Sequence, residues 1–134
     1  RLTAEGLERT AKVAKAFRKR VDSVSLILHS PYTRARETAE IFGAEFGMPI
    51  EDAGYFRPED DPEEAAERIA RRSRVARLLV VSHDPFLSRL ASHLLTGDER
   101  AAVQFKKAAI AGFQWGGPGG SMLFCLVPPK MLLG

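Results

Sequence analysis

The chain has 134 residues, of which 45% are hydrophobic and 28% charged, and its formal net charge is +3 at pH 7. This length and composition predict one globular domain over residues 1–134 and exclude a disordered chain. Acidic and basic residues are interspersed, which argues against nucleic acid as a partner and is compatible with an anionic substrate. Because no apolar stretch reaches bilayer length and no signal-peptide pattern is present, we expect a cytoplasmic protein without a membrane partner.

The number and spacing of the cysteine and histidine residues indicate whether disulfides or metal sites are expected. The one cysteine, Cys125, lies in an apolar run and is predicted to be a small buried hydrophobe, so no disulfide forms within the chain. The three histidines, His29, His83 and His93, are scattered without metal-ligand spacing. We therefore expect no cofactor and no required metal.

The first half of the chain predicts two helices around one strand. Residues 2–20 repeat apolar side chains at helical spacing, with Thr3 as the N-cap. Residues 24–29 read as a short β-strand, and residues 32–47 as a helix that ends at Gly47. Residues 48–62 show no sustained period and are predicted to be irregular.

The second half predicts one further strand-turn-helix unit and a closing hairpin. A helix over 63–74 precedes a strand at 77–82 and a helix over 86–97. Strands are predicted at 103–107, 109–115 and 121–128, with the Gly-Gly-Pro-Gly-Gly turn between the last two. The alternation predicts an α/β fold with a mixed, mainly parallel sheet flanked by helices and a C-terminal antiparallel hairpin.

Polar side chains follow two of the predicted strands at the points where they end. Ser30, Thr33 and Arg34 follow the first of these strands, and Ser82, His83 and Asp84 follow the second. If the two strands are neighbours in a parallel sheet, these groups share a crevice at the carboxyl ends. An arginine fork, helix N-terminal N–H groups and a histidine can together bind a phosphoryl group and stabilise its charge. We predict that phosphate or sulfate binds here, on Arg34, Ser30 and His83.

Each of these residues also has a structural alternative. Arg34 alone would pair with Glu37 on the helix surface, and His83 alone would be a hydrogen-bonded structural histidine. His29 faces the crevice or the opposite side of its strand, depending on register. For the remaining polar residues we expect a surface role: His93 as a partly exposed helix residue, and Arg36 and Arg89 as solvated helix charges.

The same motifs resemble the histidine phosphatase superfamily, which has the phosphoglycerate-mutase-like fold, and within it the short SixA-type phosphohistidine phosphatases. The stretches "RLTAEG", "HSPYTRARETAE" and "VVSHDPFLSRLASHLLTG" are similar to three motifs of the superfamily. The segments "FKKAAIAGF" and "LVPPKML" are similar to endings typical of the SixA group. The resemblance covers nearly the whole chain.

The resemblance implies a metal-independent phosphatase in which a histidine attacks phosphorus, forms a phosphohistidine intermediate and is regenerated by water. Arg34 would hold phosphoryl oxygens, and His83 would stabilise charge on the transferring group. Asp84, directly after the second histidine, is the candidate proton donor; its alternative role is that of N-cap of the next helix.

The nucleophile expected from the resemblance is missing. The superfamily begins with a strand that ends in Arg-His-Gly, and this tripeptide occurs nowhere in the 134 residues. We interpret the chain as a fragment of a longer enzyme rather than a remnant, because loss of that central strand would leave an unpaired strand edge on each side. His29 stands where serine is usual.

The expected function is removal of phosphate from phosphohistidine in a bacterial signalling phosphoprotein. One alternative is a small-molecule phosphomonoesterase or mutase of the same fold. A non-catalytic phosphate- or phosphoprotein-binding module is the other.

Overall fold

The computed structural model describes residues 2–72, 75–98, 100 and 109–132. Within these residues, strands and helices alternate up to a C-terminal hairpin. The helices are α1 (Ala4–Arg20), α2 (Thr33–Phe46), α3 (Pro62–Ala70) and α4 (Phe86–Thr96), followed by a 3₁₀ turn at Pro129–Met131. The strands are β1 (Leu26–His29), β2 (Ile50–Asp52), β3 (Arg77–Val81), β4 (Ile110–Gln114) and β5 (Met122–Val127).

The strands form a mixed sheet in the order β2-β1-β3-β4-β5. β1 is parallel to both β2 and β3, whereas β4 is antiparallel to β3 and β5 is antiparallel to β4. Among the described strands, only β4 therefore runs against the common direction. This confirms the predicted mixed, mainly parallel sheet and its C-terminal antiparallel hairpin.

Each face of the sheet is covered by a helical layer, because side chains alternate between faces along a strand. In β3, Leu78 and Val80 pack into a core with apolar residues of α3 and α4. The neighbouring Leu79 and Val81 pack into a second core with residues of α1 and α2. The result is a three-layer arrangement in which α2 and α4 start at the same edge of the sheet.

Most helix ends lie where the sequence predicts them. The Thr3 hydroxyl accepts a hydrogen bond from the Gly6 N–H at 2.9 Å and so caps α1. The predicted stops Gly47 and Gly97 both have the left-handed backbone, with φ of 63° and 84°. α3 ends at Ala70, earlier than the predicted residue 74.

One expectation about strands needs correction. The segment 48–62 is not wholly irregular, since β2 pairs with β1 through Ile50 opposite Ile27; three residues are too few to show a period. β3 is an inner strand of the sheet, because it pairs with β4 over Arg77–Val81 as well as with β1. The predicted strand at 103–107 lies outside the described residues.

In the described part of the chain, no helix combines the length and apolarity needed to cross a bilayer.

Candidate active site

The ends of β1 and β3 bring the two polar clusters to one edge of the sheet. The strands are parallel and in register, with His29 opposite Val81. One residue further on, the Ser30 N–H donates a 2.9 Å hydrogen bond to the Val81 carbonyl. The residues that follow each strand therefore start their helices side by side, as the sequence predicts.

A cavity of about 270 Å³ opens at this edge. Its polar lining joins residues from both helix starts. These are Arg34 and Thr38 of α2 together with Ser82, His83 and Asp84 of the β3–α4 turn. Its apolar lining comes from Leu2, Ala35, Val81, Ala109, Pro129 and Leu132.

Arg34 is an exposed residue in the first turn of α2. Among the described residues its guanidinium has no ion-pair or hydrogen-bond partner. The expected alternative partner, Glu37, instead accepts a 2.8 Å hydrogen bond from the Leu2 N–H. Arg36 pairs with Glu40 at 3.9 Å on the exposed side of the helix, in agreement with its predicted role. Arg34 is thus a cation at the cavity without a carboxylate bound to it in the described part of the chain.

His83 is half-buried at the other side of the site. Burial lowers its pKa below the ordinary 6.5, the positive charge of Arg34 lowers it further, and the carboxylate of Asp84 raises it. The buried Nδ1 atom has no hydrogen-bond partner among the described residues. The lowered pKa favours the neutral imidazole at pH 7, and the alternative of a structural histidine held through Nδ1 is not observed among the described residues.

Asp84 both lines the cavity and supports α4. Its Oδ1 atom accepts hydrogen bonds from the Ser88 N–H at 3.0 Å and from the Ser88 hydroxyl at 2.7 Å. Asp84 is not the N-cap of α4, which is Pro85, but from the preceding position it caps an N–H group in the first turn of the helix. This contact leaves Asp84 at the cavity, so the structural role and a chemical role are compatible.

The other polar candidates lie around the site without lining the cavity. Ser30 is completely buried, and its hydroxyl has no partner among the described residues. Thr33 is exposed. His29 is buried, with Nδ1 2.8 Å from the Ser30 carbonyl oxygen, and it does not line the cavity.

The surface position expected for His93 is wrong, because this residue is buried. The turn between β4 and β5 lies over the end of α4, where the Gly119 N–H donates to the His93 carbonyl at 3.1 Å. A second bond joins the Ser121 N–H to the Leu94 carbonyl at 3.1 Å. The sequence carries no sign of this contact between distant segments.

Several lining residues were not predicted. Thr38 lies four residues after Arg34 and so on the same side of α2, a spacing that could have identified it. Its hydroxyl donates to the Arg34 carbonyl at 2.9 Å. Leu2, Pro129 and Leu132 come from opposite ends of the chain, and no local signal connects them.

The described residues include neither a metal-binding cluster nor a thiol that is activated as a nucleophile. No group of three or more His, Cys, Asp or Glu residues there could hold a metal ion. Burial raises the pKa of the Cys125 thiol to about 12, so it is not a nucleophile at neutral pH. The charged and titratable side chains that line the cavity are Arg34, His83 and Asp84.

Comparison with known proteins identifies the family. The model of the histidine phosphatase superfamily (branch 1) matches residues 1–57, which include Arg34 and the turn before α2. The chain belongs to the histidine phosphatase superfamily.

One sequence relative and two solved structures are similar to nearly the whole chain. An uncharacterized protein of Picosynechococcus sp. is 33% identical over 147 residues, covering 98% of this chain and 85% of that protein. The protein histidine phosphatase SixA complexed with tungstate superimposes with a TM-score of 0.76 at 22% identity, over 98% of this chain and 85% of that one. Phosphoglycerate mutase from Plasmodium falciparum gives a TM-score of 0.70 at 20% identity, over 92% and 83%. These matches confirm the phosphoglycerate-mutase-like fold.

Proposed function

We propose that this chain forms the phosphate-binding part of a phosphohistidine phosphatase. The observation that carries the proposal is the cavity at the ends of β1 and β3, where Arg34 and His83 lie together. In the described part of the chain, no acidic side chain neutralises the Arg34 guanidinium. A cation left free beside a neutral imidazole is suited to an anionic ligand.

The chain's own residues divide the chemistry as follows. The Arg34 guanidinium donates two hydrogen bonds to phosphoryl oxygens, and N–H groups in the first turn of α2 face the same negative charge. The neutral His83 imidazole donates a third hydrogen bond and stabilises charge that develops as the phosphoryl group transfers.

Asp84 completes the reaction by donating a proton to the leaving group. When the phosphoryl group is carried by a histidine, the P–N bond breaks, its electron pair goes to the imidazole nitrogen, and the proton from Asp84 neutralises that nitrogen. The attacking nucleophile is a histidine outside residues 1–134. Water then hydrolyses the phosphohistidine formed on it.

Two features support a protein-borne substrate. The cavity has an apolar wall made by residues such as Leu2, Pro129 and Leu132, which suits a ring carried on a phosphoprotein. One structure of the same fold is that of a protein histidine phosphatase, SixA. We infer that the partner is a signalling protein that carries phosphohistidine.

The test compares residues 1–134 with the same chain extended upstream to include an Arg-His-Gly segment. With chelator present, we expect turnover of a phosphohistidine protein by the longer chain. The shorter chain should bind phosphate weakly and form no phosphohistidine. Robust turnover by residues 1–134 would overturn the assignment of roles, since His83 or His29 would then be the nucleophile.

A non-catalytic phosphate-binding module is the second candidate, because Arg-His-Gly is absent from the 134 residues. It predicts phosphate binding by both chains and turnover by neither. Mass spectrometry after brief exposure to a phosphodonor separates the two, since only the enzyme gains a phosphoryl group on histidine.

A further inference from the structure

Tyr32 is the aromatic residue in contact with His83. The two ring centroids lie 5.6 Å apart and the ring planes meet at 80°, an edge-to-face arrangement. Tyr32 is nevertheless 43% exposed. The contact therefore does not come from burial of the tyrosine in either core.

The position of Tyr32 is also unusual for a helix start. It occupies the N-cap of α2, where Ser, Thr, Asp or Asn would stabilise the helix, and its side chain makes no capping hydrogen bond. The same turn places Arg34 at the cavity two residues later. The start of α2 thus presents one side chain to His83 and another to the anion site, at the expense of a better cap.

His83 needs such support because no hydrogen bond from the described residues fixes its ring. Nδ1 is buried without a partner in the described part of the chain. In sites where an imidazole must keep one orientation, the second ring nitrogen is ordinarily hydrogen-bonded. Here the aromatic edge-to-face contact takes the place of that bond.

We propose that Tyr32 is a positioning residue that holds the His83 imidazole toward the anion in the cavity. The proposal rests on the phosphate-binding function proposed above. Tyr32 acts through its ring, without a part for its hydroxyl. It follows that phenylalanine can replace it and that aliphatic residues cannot.

The experiment uses residues 1–134 with the variants Tyr32→Ala, Tyr32→Leu and Tyr32→Phe. NMR of the His83 ring signals against pH measures its pKa without any ligand. Loss of the aromatic ring admits water, so the pKa should rise toward its ordinary value in Tyr32→Ala and remain as in the unmodified chain in Tyr32→Phe.

Phosphate titrations at about pH 8 then measure positioning, because the free imidazole is neutral in every variant well above a pKa of 6.5. Affinity should fall roughly two- to tenfold in Tyr32→Ala and Tyr32→Leu and be retained in Tyr32→Phe. Tyr55→Ala is the matched control. The centroids of the Tyr55 and Phe56 rings lie 4.9 Å apart, and Tyr55 does not line the cavity. The Tyr55→Ala variant should therefore lose stability without a change in the pKa of His83.

The outcomes separate the two proposals. An unchanged His83 pKa and unchanged ring signals in Tyr32→Ala overturn the role of Tyr32, whatever the anion does. If the pKa moves as expected but phosphate perturbs neither His83 nor Arg34 in the unmodified chain, the contact is real and the phosphate-binding function is wrong.

Discussion

Arg34 and His83 line one cavity from the starts of two different helices, and the positive charge of Arg34 adds to burial in lowering the pKa of His83. Arg34 thereby imposes an electrostatic penalty on the imidazolium form of His83. A phosphoryl group relieves it, since its negative charge pairs with Arg34 and favours the imidazolium. The site is thus electrostatically suited to an anion.

Arg34→Ala should raise the pKa of His83 and lower phosphate affinity at least roughly tenfold, because two charge-assisted hydrogen bonds are lost. In the chain extended upstream to include an Arg-His-Gly segment, turnover should fall by about two to three orders of magnitude. Stability should change by less than about 0.5 kcal/mol, as expected for an exposed side chain. NMR titration, a phosphatase assay and urea unfolding measure the three effects.

Arg36→Ala is the control for Arg34→Ala. Arg36 has the same charge two residues later but pairs with Glu40 away from the cavity. It should leave phosphate affinity and the His83 pKa as they are. Equal effects of the two substitutions would show that only net charge matters.

The lowered pKa of His83 makes stability depend on pH. Below about pH 6.5 the unfolded chain binds a proton that the folded imidazole resists, so acidification through this window destabilises the fold. His83→Gln should therefore lose less stability than the unmodified chain between about pH 7.5 and 5.5. Urea unfolding at both pH values measures the difference. A larger loss in His83→Gln would mean that protonation of His83 stabilises the fold, and that folding raises the pKa of His83 instead of lowering it.

The layers of the fold could be predicted because each rests on local patterns. Thr3 at the first helix and Gly47 and Gly97 at helix ends carry capping chemistry that operates wherever it occurs. β2 escaped prediction because its three residues are defined by pairing with β1, which no local pattern reports. His93 was misplaced for the same reason: the turn that covers it belongs to a segment about 25 residues away.

The site likewise has residues that the sequence predicts and residues that it does not. Arg34, His83 and Asp84 follow strands directly, and parallel pairing of those strands suffices to bring them together. The apolar wall needs Leu2 and Leu132 at opposite ends of the chain, and the contact of Tyr32 with His83 needs a particular turn. Such contacts depend on three-dimensional packing and not on any sequence period.

Asp84→Asn and Asp84→Ala separate the two roles of Asp84. Asparagine retains an oxygen that can accept from the Ser88 N–H and hydroxyl, so Asp84→Asn should change stability by less than about 0.5 kcal/mol, and Asp84→Ala should cost about 1 kcal/mol. Neither variant can donate the proposed proton, so both should slow turnover of the extended chain by about two orders of magnitude. Normal turnover in Asp84→Asn would leave Asp84 with the capping role alone.

Gly112→Ala tests the packing of β4 between β3 and β5. A Cβ atom at this position would lie 2.6 Å from the Cys125 Sγ and 2.7 Å from the Phe124 Cζ. Both distances are shorter than van der Waals contact, so the added atom would clash with the two side chains. We expect a loss of about 1–3 kcal/mol in urea unfolding, since the β4–β5 pairing must shift to admit the methyl group. Gly54→Ala is the control, because nothing lies within 4 Å of the added atom. Adding Cys125→Ala to Gly112→Ala should recover only part of the loss, as the Phe124 ring remains in place. A Gly112→Ala chain as stable as the Gly54→Ala chain would mean that β5 is not paired with β4 in the register Gly112 opposite Cys125.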